Sequence, residues 1–309
     1  MTYSIVARDA ETGEMGVAVQ SHFFSVGSTV TWAKAGVGAV ATQAMVDIRY
    51  GPLGLGLMSG GKSANEALVA LLRADPNSDS RQVAMVDSKG RVAAHTGRSC
   101  LPHAGHVTGR GFSCQGNIMR NERVWGAMKK AFEKNHTLPF AERLVSTLEA
   151  AERTGGDLRG RQSSAVLVVS PEIKPNHWEG RLVDLRVEDH PEPVPELKRL
   201  LRYHRGYEWA NRGDDFLTVK DYSKALEAYG KAYSLVPEID ELKYWAGIGL
   251  LTSGRLEKAE KMLKEVIAKN RNWVEVTRGI AKVGSPPIPP DALERILGKK
   301  KHSGTLKSR

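Results

Sequence analysis

"MTYSIVARDAETGEMGVAVQS", residues 1–21, carries the pattern that decides the fold. "YSIVARD" and "EMGVAVQS" are short apolar runs with strand character, and "AETG" between them has the chemistry of a hairpin turn. An antiparallel pair at the very start of a chain puts residue 2 at a strand end. Thr2 follows the initiator methionine, and a residue this small usually lets that methionine be removed. The processed chain then begins with a hydroxyl and a free α-amino group on one residue. Thr2 is therefore either an ordinary strand residue, sharing a face with Ser4, or a nucleophile that carries its own base.

Outward from this hairpin, strand-like and helix-like blocks alternate to about residue 195. "GVGAVATQAMV" suits a buried strand. "SANEALVALLRAD" opens with Ser63 and has Glu66 three residues on, a capping box ahead of apolar residues at helical spacing. "QVAMVDSKGRVAAHTG" is a second hairpin, turning at Asp87 to Gly90. "ERVWGAMKKAFEKN" and "PFAERLVSTLEAAERT" are helical, and "SSAVLVVS" and "GRLVDLRVED" close the domain as strands. So many hairpins predict an α+β domain with largely antiparallel sheets and helices on their outer faces.

"DHPEPVPELKR" marks a joint, and residues 196–205 are expected to be a linker. Beyond it, over 206–285, a repeat appears. A shift of 34 residues lands Gly213 on Gly247, Phe216 on Leu250, Ala225 on Ala259 and Tyr229 on Leu263, the spacing of tetratricopeptide repeats. "WVEVTRGIAKV" is a third helical stretch able to cap the stack, and residues 286–309 are expected to be a basic tail that starts with prolines. Such repeats either form a peptide groove for a protein partner or pack the chain against itself.

Net charge is +10, partly from the end "LGKKKHSGTLKSR". No zinc-finger spacing, RNA-binding aromatic motif or recognition helix accompanies it, so nucleic acid is not the expected partner. No run approaches a membrane-spanning length. Two cysteines, Cys100 and Cys114, fit a reducing compartment, and the cytoplasm is the expected location.

The stretches "MTYSIVARDAETGEMGVAVQS", "WAKAGVGAVATQA", "YGPLGLGLM", "RVAAHTG", "AGHVTGRGFSCQGNIM", "GDLRGRQSSA" and "DLRVEDHP" together resemble the DUF1028 family over roughly residues 1–205. That resemblance implies a four-layer αββα sandwich like that of the N-terminal-nucleophile (Ntn) hydrolases. In that setting Thr2 attacks a small amide or related carbonyl substrate, with no cofactor and no metal. By similarity to proteasome-type threonine hydrolases, Lys34 is expected on the floor of the site. The early aspartate of those enzymes is missing, and Ser21 is its nearest analogue.

Further candidates are polar residues near these segments. Backbone amides of "ATQAMVD" are natural oxyanion donors, with Thr42 and Gln43 adding side-chain contacts and Asp47 meeting a substrate amine. His95, Gln115 and Asn117 are expected to line the pocket. Arg159 is a candidate clamp for a carboxylate, unless it pairs with Asp157 and simply organises its loop. His95, Cys100, His103, His106 and Cys114 lie close in sequence, but without a zinc-site spacing. Three readings are open: an N-terminal-nucleophile hydrolase, expected to be a homodimer; a non-catalytic ligand-binding or assembly protein whose repeats dock a partner; and a zinc hydrolase built on the loop from His95 to Cys114.

Overall fold

The computed structural model describes residues 2–176, 178–284 and 286–298. The chain divides into two compact units between Leu201 and Arg202.

The first unit starts with the hairpin of β1 (Thr2–Arg8) and β2 (Met15–Ser21), then α1 (Gly27–Val30), β3 (Thr31–Lys34) and β4 (Gly38–Ala44). Helices α2 (Tyr50–Ser59) and α3 (Ala64–Ala74) come next. Ser63 and Glu66 cap α3 reciprocally, as their spacing requires. Strands β5 (Arg81–Asp87), β6 (Val92–Thr96), β7 (Gly105–Gly109) and β8 (Phe112–Asn117) precede α4 (Val124–Lys134) and α5 (Phe140–Arg153). Last come β9 (Ser163–Val169), β10 (Arg181–Val187) and α6 (Pro193–Thr218).

One sheet has the order β10-β9-β2-β1-β8-β7 and the other β3-β4-β5-β6. Every pairing between strands is antiparallel. The side-chain period of two splits β1 cleanly. Tyr3, Ile5 and Ala7 face α4 and α5 in one core, while Val6 joins Val17, Ala39, Ala41 and Ala84 between the sheets. A third core lies between the second sheet and α2 and α3, around Val40, Leu55, Leu68 and Met85. Helix, sheet, sheet and helix thus form four layers. The small residues of β4, which bring little bulk, let the sheets approach.

The second unit is helical: the end of α6, then α7 (Tyr222–Leu235), α8 (Asp240–Thr252), α9 (Leu256–Lys269), α10 (Trp273–Val283) and α11 (Pro290–Leu297). The repeat has a physical signature. A Cβ on Gly213 would meet the Tyr229 ring at 2.5 Å, and a Cβ on Gly247 would meet Leu263 at 2.9 Å. The same glycine-to-large-residue contact recurs one repeat later, because only glycine admits so close a helix.

Two expected boundaries need correction. Residues 196–205, read as a linker, lie inside the continuous helix α6, and Leu197 and Leu201 are buried in the first unit's core. Within the expected tail, residues 290–297 form α11, whose Ala292 and Ile296 pack with Leu263 and Ile267. The last stretch of the tail, 299–309, lies outside the described residues, as does Met1.

Candidate functional site

The strand register brings one set of strand ends together. Thr2 opposes Asn117 on β8, Gln43 opposes Gln82, and Gln82 opposes Thr96. Ser21 and Ser163 oppose each other at the same end. From these ends leave the loops 22–26, 44–49, 97–104, 118–123 and 155–162.

Thr2 is 4% exposed, and its Oγ1 donates to Ser21 Oγ at 3.1 Å. Its carbonyl oxygen accepts from Gln43 Nε2 at 3.1 Å and Asn117 Nδ2 at 3.4 Å. Both amides also donate to Gln82 Oε1, at 2.7 and 2.9 Å. Gln82 Nε2 in turn shares its protons among Gly116 O, Thr96 Oγ1 and Gly105 O, at 2.8, 3.0 and 3.1 Å. Ser4 Oγ donates to Gln43 Oε1 and accepts from Gln115 Nε2, both at 2.7 Å. The outcome is a buried amide and hydroxyl network that crosses between the sheets and holds Thr2 by its backbone. Such a network is stable only because its members satisfy each other.

Backbone strain collects at this end. Ser25, Ala44 and Ile118 have φ of 54°, 70° and 52°, a region costly for any residue with a Cβ and most of all for β-branched isoleucine. Ala44 directly follows Gln43, and Ile118 directly follows Asn117. The turn-back at each position ends its strand where the amide side chain meets Thr2.

The sequence-derived candidates separate into those the structure gathers and those it does not. Gln43 and Asn117 touch Thr2, and Gln115 reaches it through Ser4 and then Gln43. Thr42 points into the 44–49 loop, donating to Asp47 O at 3.0 Å. Asp47 is held by Arg49 at 2.7 Å, and this guanidinium keeps its carboxyl below the usual range. His95 Nε2 lies 2.9 Å from Ser78 O, bound to its own neighbourhood. Arg159 pairs with Asp157 at 3.0 Å, and Asp157 also accepts from His22 N at 3.1 Å. Pairing within the loop is thus what Asp157 and Arg159 do.

Lys34 is the clear correction. It is exposed, donates to Ser59 Oγ at 3.3 Å, and opposes Gly38 at the far end of β4 from Gln43. About five residues of extended strand separate the two ends, some 16 Å. Its expected place on the floor came from similarity to the proteasome-type hydrolases, whereas here Lys34 stands at the turn that joins β3 to β4.

Of the histidines and cysteines, Cys114 points behind the first sheet into apolar core, where burial pushes its thiol far up. Among the described residues no group of three or more His, Cys, Asp or Glu side chains is placed to hold a metal. A cavity of about 660 Å³ does open beside the network, lined by Thr96, Arg98, Cys100, His103, His106 and Glu122. His106 Nδ1 is 2.8 Å from Thr96 Oγ1, and burial, helped by His95, lowers its pKa. Gln82 and Ser4 are the residues that sequence reasoning missed. Their signal was the register, since Gln82 lies across from Gln43 once both strands are paired.

A four-layer α+β sandwich with a polar hub at one end, followed by a helical repeat unit, defines the class. The chain belongs to DUF1028, a family of unknown function, whose profile matches residues 2–197. A tetratricopeptide repeat profile matches residues 216–283. The crystal structure of protein SPO2555 from Silicibacter pomeroyi, also a DUF1028 protein, is 32% identical with a TM-score of 0.58. That match covers 65% of this chain and 88% of the other. No curated protein matches the chain. No helix among the described residues is long and apolar enough to cross a membrane.

Proposed function

We propose that the first unit is an N-terminal-nucleophile hydrolase acting on a small amide or related carbonyl group. The observation that carries this reading is the hold on Thr2: two buried amides fix its carbonyl while its hydroxyl turns to Ser21. With Met1 removed, the Thr2 α-amino group, of ordinary pKa about 7.7–8.0, takes the hydroxyl proton through a water. Oγ1 adds to the carbonyl carbon, the leaving amine departs with the proton, and water then hydrolyses the Thr2 ester. Ser21 orients the hydroxyl in place of a charged residue. Lys34 has no part in this scheme. The repeat unit is suited to protein–protein interaction, and we assign it the docking of a protein partner.

A second reading, a non-catalytic binding or assembly unit, draws on the neutrality of the network, whose residues are all uncharged. Intact mass separates the two. The hydrolase reading expects the chain to lack one methionine and to gain the mass of one β-lactone when that electrophile acylates Thr2. Thr2→Ala should abolish the adduct without lowering the melting temperature by more than a few degrees. A retained methionine, or an adduct that persists in Thr2→Ala, sinks the hydrolase.

A further inference from the structure

We infer that the loop end around Thr2 is the face through which two copies of this chain pair. Seven large apolar side chains stand exposed on the loops that leave this end: Phe23, Phe24, Met45, Val46, Ile48, Leu101 and Leu158, each 40–68% accessible. The loops are neighbours. Ser163 Oγ donates to Phe23 O, Leu158 N to Ile118 O at 3.1 Å, Met119 N to His103 O at 3.2 Å, and Met45 N to Ser80 O at 3.2 Å. Half-exposed side chains of this size present on the order of 600 Å². Summed over these four loops, that area is enough for the apolar share of the ~800 Å² that each partner contributes to a standard interface.

The charges around the patch favour a second copy over a foreign anion or cation. An isologous contact sets a surface against itself, so its rim must carry both signs or none. Here both signs are present: Arg49 pairs with Asp47 at 2.7 Å, Arg98 with Asp79 of the turn before β5 at 2.7 Å, Arg159 with Asp157 at 3.0 Å and Arg161 with Glu152 and Glu192, while the 118–123 loop carries Arg120, Glu122 and Arg123. A one-signed rim would repel its copy. The loops are also preorganised by their cross-loop hydrogen bonds, which lowers the ordering cost of association. Pairing covers the approach to Thr2, so a substrate reaches the site along the interface. The pairing stands whether or not Thr2 is a nucleophile.

The test uses the full chain in sedimentation velocity across a concentration series. The wild type should sediment as a dimer, and Phe24→Asp with Ile48→Asp should weaken association at least 100-fold. Ile173→Asp, exposed on a different connection of the same unit, should not. A monomeric wild type at about 100 µM overturns the inference, as does a double variant that pairs like the wild type. Should the double variant misfold, hydrogen exchange on the wild type decides. Residues 22–26, 44–49, 97–104 and 155–162 should lose protection on dilution, and a dimer that loses it elsewhere overturns the assignment.

Discussion

Gln82 is the residue on which the candidate site turns. Its Oε1 takes one proton from Gln43 and one from Asn117, and its Nε2 serves acceptors on β6, β7 and β8. These five bonds join it to both sheets. Gln82→Ala would leave two buried donors and several acceptors with reduced partners, each costing about 1–3 kcal/mol. We expect it to lower unfolding free energy by roughly 2–4 kcal/mol in urea titration, part of the loss being regained if water fills the gap. We also expect slower β-lactone acylation, since the amides that hold the Thr2 carbonyl would no longer be fixed. A stability unchanged within about 0.5 kcal/mol would show that the network is not the clamp its geometry describes. Gln20 is the counter-example in the same unit: fully buried, with neither amide atom hydrogen-bonded to protein. Its position on the α5 side of the sheet, opposite Tyr3, keeps it outside the Thr2 network.

At the scale of elements, Asp75 staples three of them. It ends α3, accepts from Tyr50 Oη at the start of α2 at 3.0 Å, and pairs with Arg81 at the start of β5 at 2.8 Å. Arg81, with help from backbone and Tyr50 donors and against the cost of burial, holds the Asp75 carboxyl down to about 2. A depressed carboxylate contributes stability above its unfolded pKa of about 3.9, and the contribution is lost as pH falls toward 2. The gap in unfolding free energy between wild type and Asp75→Asn should therefore shrink by about 2 kcal/mol from pH 5 to pH 2. A gap that stays constant would mean that the pairing does not depress this carboxyl. Legibility also varied by element. The β1–β2 and β5–β6 hairpins and the α3 capping box were plain, because turn chemistry and caps are local. Helix α2 was not, since "YGPLGLGLMS" is rich in glycine and contains proline. Its helix is fixed by packing instead: Gly51 lies flat on Trp32 and Gly54 on Met85. Strand β8 was also hidden. Its core position beside β1 depends on pairing across more than 100 residues, which no local pattern shows. The polar hub was half legible for the same reason. Gln43, Gln115 and Asn117 stood out as amides next to apolar runs, whereas Gln82 needed the register.

The whole molecule places its boundary where local sequence does not. Prolines at 191, 193 and 195 suggested that the first unit stops near residue 195. Proline, however, is well tolerated in a helix's first turn, and α6 begins at Pro193. The next turns deliver Leu197 and Leu201 into the core with Val187 and Val194. A chain ending at residue 195 therefore exposes the surface that these two leucines cover, whereas one ending at 205 keeps them. Burying a leucine contributes about 1.5–3 kcal/mol, so the shorter chain should be less stable by roughly 3–6 kcal/mol. For a unit of this size that corresponds to a melting temperature about 6–24 °C lower, read by circular dichroism on both chains. Equal melting temperatures would mean that the first unit is complete without the start of α6. A lower one for the 195-residue chain would make α6 the last structural element of the sandwich as well as the first helix of the repeat unit.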